Sequence, residues 1–143
     1  MEVNMKLRYE KKIPVEDYLR LRESVHWAKM AYKQAVSAVE NCFCSICCYD
    51  GDKVIGMLRI LWTGDYCAYL TDVVVDEAYR GQGIATCMMN MAIQSLRDAM
   101  EEDYNVKLFL MAAKGRESFY EPFGFVSRPN DTMGAAMDMW LKK

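Results

Sequence analysis

The chain has 143 residues, 52% of them apolar and 27% charged, with a net charge of −2. This length suits one domain with an ordinary buried core, so residues 1–143 are expected to form a single domain. The mild acidity and scattered Lys and Arg argue against the basic face of a nucleic-acid binder, and no apolar run approaches the roughly 18 residues of a membrane span.

In chain order, residues 3–10 alternate in polarity and read as a first strand. Their charge and alternation do not suit a secretory leader, so a soluble, cytoplasmic protein is expected. Residues 13–25 read as a helix, with Pro14 at the first helical position, Glu16 and Asp17 in the first turn, and Leu19, Leu21 and Val25 on the apolar side. Residues 26–41 hold no Pro or Gly and read as a second helical stretch. Two strand-like runs, 42–50 and 53–63, flank Asp50-Gly51-Asp52, a strong hairpin signal. A second turn at Thr63-Gly64-Asp65 leads to the run 66–75, so three strands form an antiparallel meander.

Six cysteines fall in this sequence: Cys42, Cys44, Cys47, Cys48, Cys67 and Cys87. Cys44 and Cys47 make a C-x-x-C, but no second pair accompanies it and His26 is the only histidine, so no metal site is expected. The expected role of the cluster is packing, with Cys as a small hydrophobe.

After Gly83 the apolar positions Ile84, Met88, Met91, Ala92, Leu96, Ala99 and Met100 repeat at the spacing of one helix face. Residues 106–113 are a continuous apolar run suited to a buried strand. A short helix is expected within 115–125, closed by Pro122 and Gly124, and a last strand at 134–143. The element order implies an α/β (α+β) domain with a mixed sheet, and the strand–helix–strand from Val75 to the 106–113 run should be a right-handed parallel crossover.

The connection Arg80-Gly81-Gln82-Gly83-Ile84-Ala85-Thr86 joins the third strand of the meander to that long helix. A helix N-terminus offers free N–H groups and the positive end of a dipole, and glycine lets a ligand approach the backbone. A strand, a glycine-rich turn and a helix therefore make an anion site. The Lys and Ser/Thr of a P-loop are missing. A dinucleotide fingerprint is also excluded, because Thr86 replaces its third glycine and four residues separate Val75 from Arg80.

Arg80 to Ala85 fits the remaining pattern, [RQ]-x-x-G-x-[GA]. Here the sequence resembles the GNAT superfamily of acetyl-CoA-dependent N-acetyltransferases. The resemblance extends over the strand before the loop and over Phe119-Tyr120-Glu121-Pro122-Phe123-Gly124-Phe125 downstream, and is good over residues 50–126. It implies antiparallel N-terminal strands and a parallel strand pair splayed around the pantetheine arm of coenzyme A. The amides of Gly81, Gln82, Gly83, Ile84, Ala85 and Thr86 would hold the pyrophosphate, with Arg80 at its edge, and Val73, Val74 and Val75 would pair with the pantetheine amides.

The chemistry implied is acetyl transfer from acetyl-CoA to a primary amine, with a small molecule as the expected acceptor. Protein or peptide acetylation, and a non-catalytic coenzyme-A-binding module, are the alternatives. The N–H near Val74 would stabilise the developing oxyanion. Tyr120 would protonate the leaving thiolate, since a phenol at pKa ~10 and a thiol at ~8.5 are close enough to share a proton. For the base, Asp72 is the leading candidate on its strand, with Glu117 and His26 as others and a water relay, or no dedicated base, as the alternatives. The acceptor pocket is expected from residues 18–34, 59–65 and 128–137, with Trp27, Tyr32, Trp62 and Tyr66 as candidate lining and Asp65 as an acidic lure. A homodimer is one expectation from the resemblance.

Overall fold

In the computed structural model, residues 6–143 are described. They fall into two compact units, one ending at Leu108 and the other spanning Phe109–Lys143.

The sheet has the order β1-β2-β3-β4-β5 and is made of β1 (Leu7–Glu10), β2 (Cys44–Asp50), β3 (Lys53–Leu61), β4 (Cys67–Val75) and β5 (Lys107–Phe109); all but the last residue of β5 belong to the first unit. Strands β1 to β4 are antiparallel neighbours, as the alternation and the Asp50-Gly51 turn imply, and β5 runs parallel to β4. The first part of the expected β1, residues 3–5, lies outside the described residues. Strand β3 is buried from Val54 to Ile60 because both faces are covered.

On one face, Ile13, Tyr18, Leu21, Ala35 and Val39 pack with Cys47, Val54, Met57 and Val74. The helices there are α1 (Val15–Ser24) and α2 (Tyr32–Glu40). The other face belongs to α3 (Ile84–Ala99): a Cβ on Gly56 would meet Met88 Cε at 3.2 Å and Ile84 Cγ2 at 3.4 Å. Gly56 leaves the room that α3 uses. In α3 the buried residues are Ile84, Met88, Met89, Ala92 and Leu96, so Met89 replaces the expected Met91.

Other expectations change as well. The stretch 26–41 is not one helix, because α2 begins only at Tyr32. His26 takes φ +59, its N–H donates to Glu23 O and that of Trp27 donates to Arg22 O. This paired 5→2 and 6→1 closure ends α1 as a glycine usually does. Pro14 is the residue before the helix, in extended conformation, and not its first member. The run 106–113 yields only a three-residue strand whose exposure alternates, as suits a strand at the sheet's end.

In the second unit, α4 (Glu117–Tyr120) and a 3-10 turn (Glu121–Phe123) form the expected short helical segment. Residues 134–143 hold no strand, contrary to expectation. No other strand of this unit offers them a ladder, and an unpaired strand is not stable in water.

Candidate active site

The site begins where β4 ends. Asp76 caps a single 3-10 turn (Glu77–Tyr79) by accepting from the Ala78 N–H at 3.0 Å. Lys53 Nζ lies 3.5 Å from the same carboxylate. The Tyr79 hydroxyl donates to Asp50 Oδ2 at 2.6 Å, tying the turn to the β2–β3 hairpin. Arg80 Nε donates to Val75 O at 3.1 Å, which anchors this exposed arginine at the mouth of the loop.

Gly81 and Gly83 then adopt φ +76 and +80, the left-handed region where an L side chain is strained. A Cβ on either would meet no atom within 4 Å, so open space adjoins the loop backbone. Gly83 precedes α3, whose first bond runs from Cys87 N–H to Gly83 O at 3.0 Å. The N–H groups of Ile84, Ala85 and Thr86 therefore have no acceptor within the helix, and they sit at its positive dipole end. The predicted anion-binding residues 80–86 thus run from the exposed Arg80–Gly83 into the first turn of α3, with open space beside Gly81 and Gly83.

Val73, Val74 and Val75 lie at the end of β4 next to this loop. Strand β5 starts at the opposite end of β4, with Lys107 N–H on Tyr66 O at 2.6 Å, and is only three residues long. On the β3 side the register runs Arg59↔Thr71 but Met57↔Val74, so Asp72 and Val73 both stand against Leu58. This is a β-bulge, and it frees backbone groups from the ladder. Asp72 sits in it at φ +58.

Asp72 is 8% exposed, and its side chain lies at the centre of a charged cluster that sequence reading missed. Arg22 Nη1 donates to Oδ1 at 2.9 Å, while Arg59 Nε (2.8 Å) and the Tyr18 hydroxyl (2.6 Å) donate to Oδ2. Arg59 Nη1 also donates to Ala38 O at 2.9 Å. Both guanidinium groups lie over the Tyr18 ring, at 5.5 and 5.7 Å. Burial, then the bond to Asp72, pushes the Tyr18 phenol up to about 12. The available signal was an Arg and an Asp each set inside an apolar strand run.

Of the expected acceptor-pocket residues, Trp27 lies beside Arg22, 5.3 Å from its guanidinium carbon. Tyr32 donates to Glu16 at 3.2 Å and is exposed, as is Tyr66. Trp62 packs edge-on against Phe43 and donates to Asp65 O. Asp65 itself stabilises the β3–β4 turn by accepting from Thr63 and the Cys67 N–H, and the latter bond, first, holds its carboxyl below the usual range. His26 is exposed and its backbone closes α1.

In the second unit Tyr120 packs edge-to-face with Phe119 (4.9 Å) and Phe125 (6.0 Å). Burial raises its phenol above the ordinary value, partly opposed by Arg116. Glu117 begins α4, one turn before it, and is exposed. The cysteines are free thiols; Cys44, Cys47 and Cys48 are buried in β2 and act as core residues. Among the described residues, no three His, Cys, Asp or Glu gather as a metal-binding group.

The sequence model of the Acetyltransferase (GNAT) family matches residues 9–125. This chain belongs to that family. Its members transfer acetyl groups, and the chain is accordingly an acyltransferase. The chain is 29% identical to the uncharacterized N-acetyltransferase ycf52 of Gracilaria tenuistipitata var. liui over 136 residues, covering 92% of this chain and 72% of the relative. It is 28% identical to ycf52 of Pyropia yezoensis over 132 residues, covering 90% and 74%. Among solved structures, protein SA2161 of meticillin-resistant Staphylococcus aureus superposes with TM-score 0.81 at 24% identity, covering 94% of this chain and all of that one. Glucosamine-6-phosphate N-acetyltransferase of Arabidopsis thaliana has the same fold, with TM-score 0.72 at 11% identity over 96% and 99% of the two chains. The GNAT fold thus accounts for the mixed sheet and the helices that flank it.

Proposed function

We propose that the chain transfers the acetyl group of acetyl-CoA to a primary amine on a small molecule, by direct attack when both are bound. The observation that carries this reading is the loop before α3. Two left-handed glycines, unpaired helix N–H groups and open space beside them suit a pyrophosphate. The family match spans residues 9–125, across both units, and supports treating the chain as one acetyltransferase domain.

In this reading the amides of residues 81–86 hold the pyrophosphate and Arg80 adds charge at its rim. Val73, Val74 and Val75 offer backbone groups to pantetheine, near the bulge. Acetyl-CoA supplies an activated acyl carbon. The Val74 N–H donates to the thioester oxygen as negative charge builds there, which lowers the barrier because the donor is already in place. Tyr120 gives its proton to the departing sulfur, its phenol being protonated at neutral pH as any phenol is, and the proton shed by the attacking amine restores the hydroxyl through water.

Thermal unfolding with acetyl-CoA tests the cofactor. Binding at about 100 times Kd stabilises by ~2.7 kcal/mol. No shift at millimolar acetyl-CoA would refute the reading. A thiol-release screen of small amines against lysine and N-terminal peptides then tests the acceptor. Turnover confined to peptides would replace the small-molecule assignment, and binding without turnover of either class would indicate a coenzyme-A-binding module.

A further inference from the structure

Asp72 was expected as a general base, yet its surroundings suit a different task. Its carboxylate already accepts three hydrogen bonds, from Arg22, Arg59 and Tyr18, out of about four lone-pair sites. Its backbone is the left-handed residue of the β4 bulge, at φ +58. Such a conformation in a non-glycine residue costs free energy and persists where the surroundings over-determine it. Here they do. The carboxylate is tied to α1 through Tyr18 and Arg22 and to β3 through Arg59. Arg59 reaches α2 at Ala38 O, and Arg22 reaches the α1–α2 connection at Ala28 O, 3.2 Å away.

We infer that Asp72 is a positioning residue: the Tyr18–Arg22–Arg59–Asp72 cluster clamps the β4 bulge and so sets where the Val73 and Val74 amides meet the acyl donor. The inference rests on the proposed acetyl-CoA reading. The clamp joins an ionic network on the α1–α2 face to backbone donors next in sequence. Aspartate suits the position twice, because its short side chain tolerates the left-handed region and its two oxygens take all three donors. Alanine would lose both properties. Asparagine would keep the backbone tolerance and one acceptor oxygen, but could not act as a base.

The test compares wild type, Asp72→Asn, Asp72→Ala and Tyr18→Phe, each bound to acetyl-CoA labelled with carbon-13 at the acetyl carbonyl. Isotope-edited infrared spectroscopy reads the carbonyl stretch, and titration calorimetry reads affinity. In wild type the stretch moves down on binding, as a hydrogen-bonded carbonyl requires. Asp72→Ala should abolish that displacement and weaken acetyl-CoA binding by about tenfold. Asp72→Asn should keep most of it. Tyr18→Phe, which leaves both ion pairs intact, should reduce the displacement and carries the test if Asp72→Ala does not fold. An unchanged stretch in Asp72→Ala, or in Tyr18→Phe where the alanine variant is unfolded, overturns the clamp. So does a common loss of turnover in Asp72→Asn and Asp72→Ala with the stretch intact, the signature of a base. If wild type shows no stabilisation by acetyl-CoA, the proposed function fails, and the clamp's link to an acyl donor fails with it.

Discussion

Replacing Gly83 by alanine separates what the loop does for the fold from what it does for a ligand. The new Cβ meets no atom within 4 Å, so its cost to the free protein is the left-handed backbone at φ +80, roughly 1–2 kcal/mol. For a chain of this size that lowers Tm by about 3–8 °C. The same methyl enters the open space where an anion would sit, and displaces it from N–H donors whose charge-assisted bonds are each worth ~1.5–3 kcal/mol. Acetyl-CoA affinity should therefore fall roughly 10- to 100-fold. Gly64→Ala is the matched control, because Gly64 has φ +85 and equally open surroundings, but lies in the β3–β4 turn. Both variants should lose similar stability. At an acetyl-CoA concentration that stabilises wild type by ~2.7 kcal/mol, a 100-fold weaker Gly83→Ala gains only about 0.4 kcal/mol, while Gly64→Ala gains the full amount. Differential scanning fluorimetry with and without acetyl-CoA reads both quantities. Equal ligand-induced shifts in the two variants would refute the assignment of the loop.

Tyr120→Phe should lower kcat by about 100-fold with acetyl-CoA affinity unchanged, since only the proton donor is lost. Wild-type activity should fall at alkaline pH only as the raised phenol pKa is passed, which a pH–kcat profile measures. Tyr18 makes stability pH-dependent. Its phenol titrates near 12 folded and near 10 unfolded, so its contribution is intact below pH 10 and lost between pH 10 and 12, by about 3 kcal/mol. Denaturant titrations at pH 9 and 11 should show this fall in wild type, and a smaller one in Tyr18→Phe. Thiol labelling of the native protein should spare Cys44, Cys47 and Cys48, whose thiols are raised by burial, Cys47 to about 11. Peptide mapping after brief alkylation checks this, and rapid modification of Cys47 would contradict it.

The meander, the glycine loop and helix α3 were legible because each leaves a local mark. Alternation, an Asp-Gly turn and a 3.6-residue apolar period depend on neighbours in sequence. The end of α1 was not legible, because His26 occupies a position where glycine is the usual signal. The extent of β5 and the missing final strand were not legible either, since a strand exists only if another supplies its hydrogen bonds.

What the residues determine by themselves is the chemical vocabulary of the loop: two glycines, an arginine and a helix start in one short run, and a tyrosine far downstream in a matching motif. What the tertiary structure decided is the setting of Asp72. Its partners lie 50, 54 and 13 residues away in the chain. Only the packing of α1 against β3 and β4 brings two guanidinium groups and a phenol onto one carboxylate. The bulge beneath it arises from a register shift between strands, a relation between two segments that neither segment carries alone.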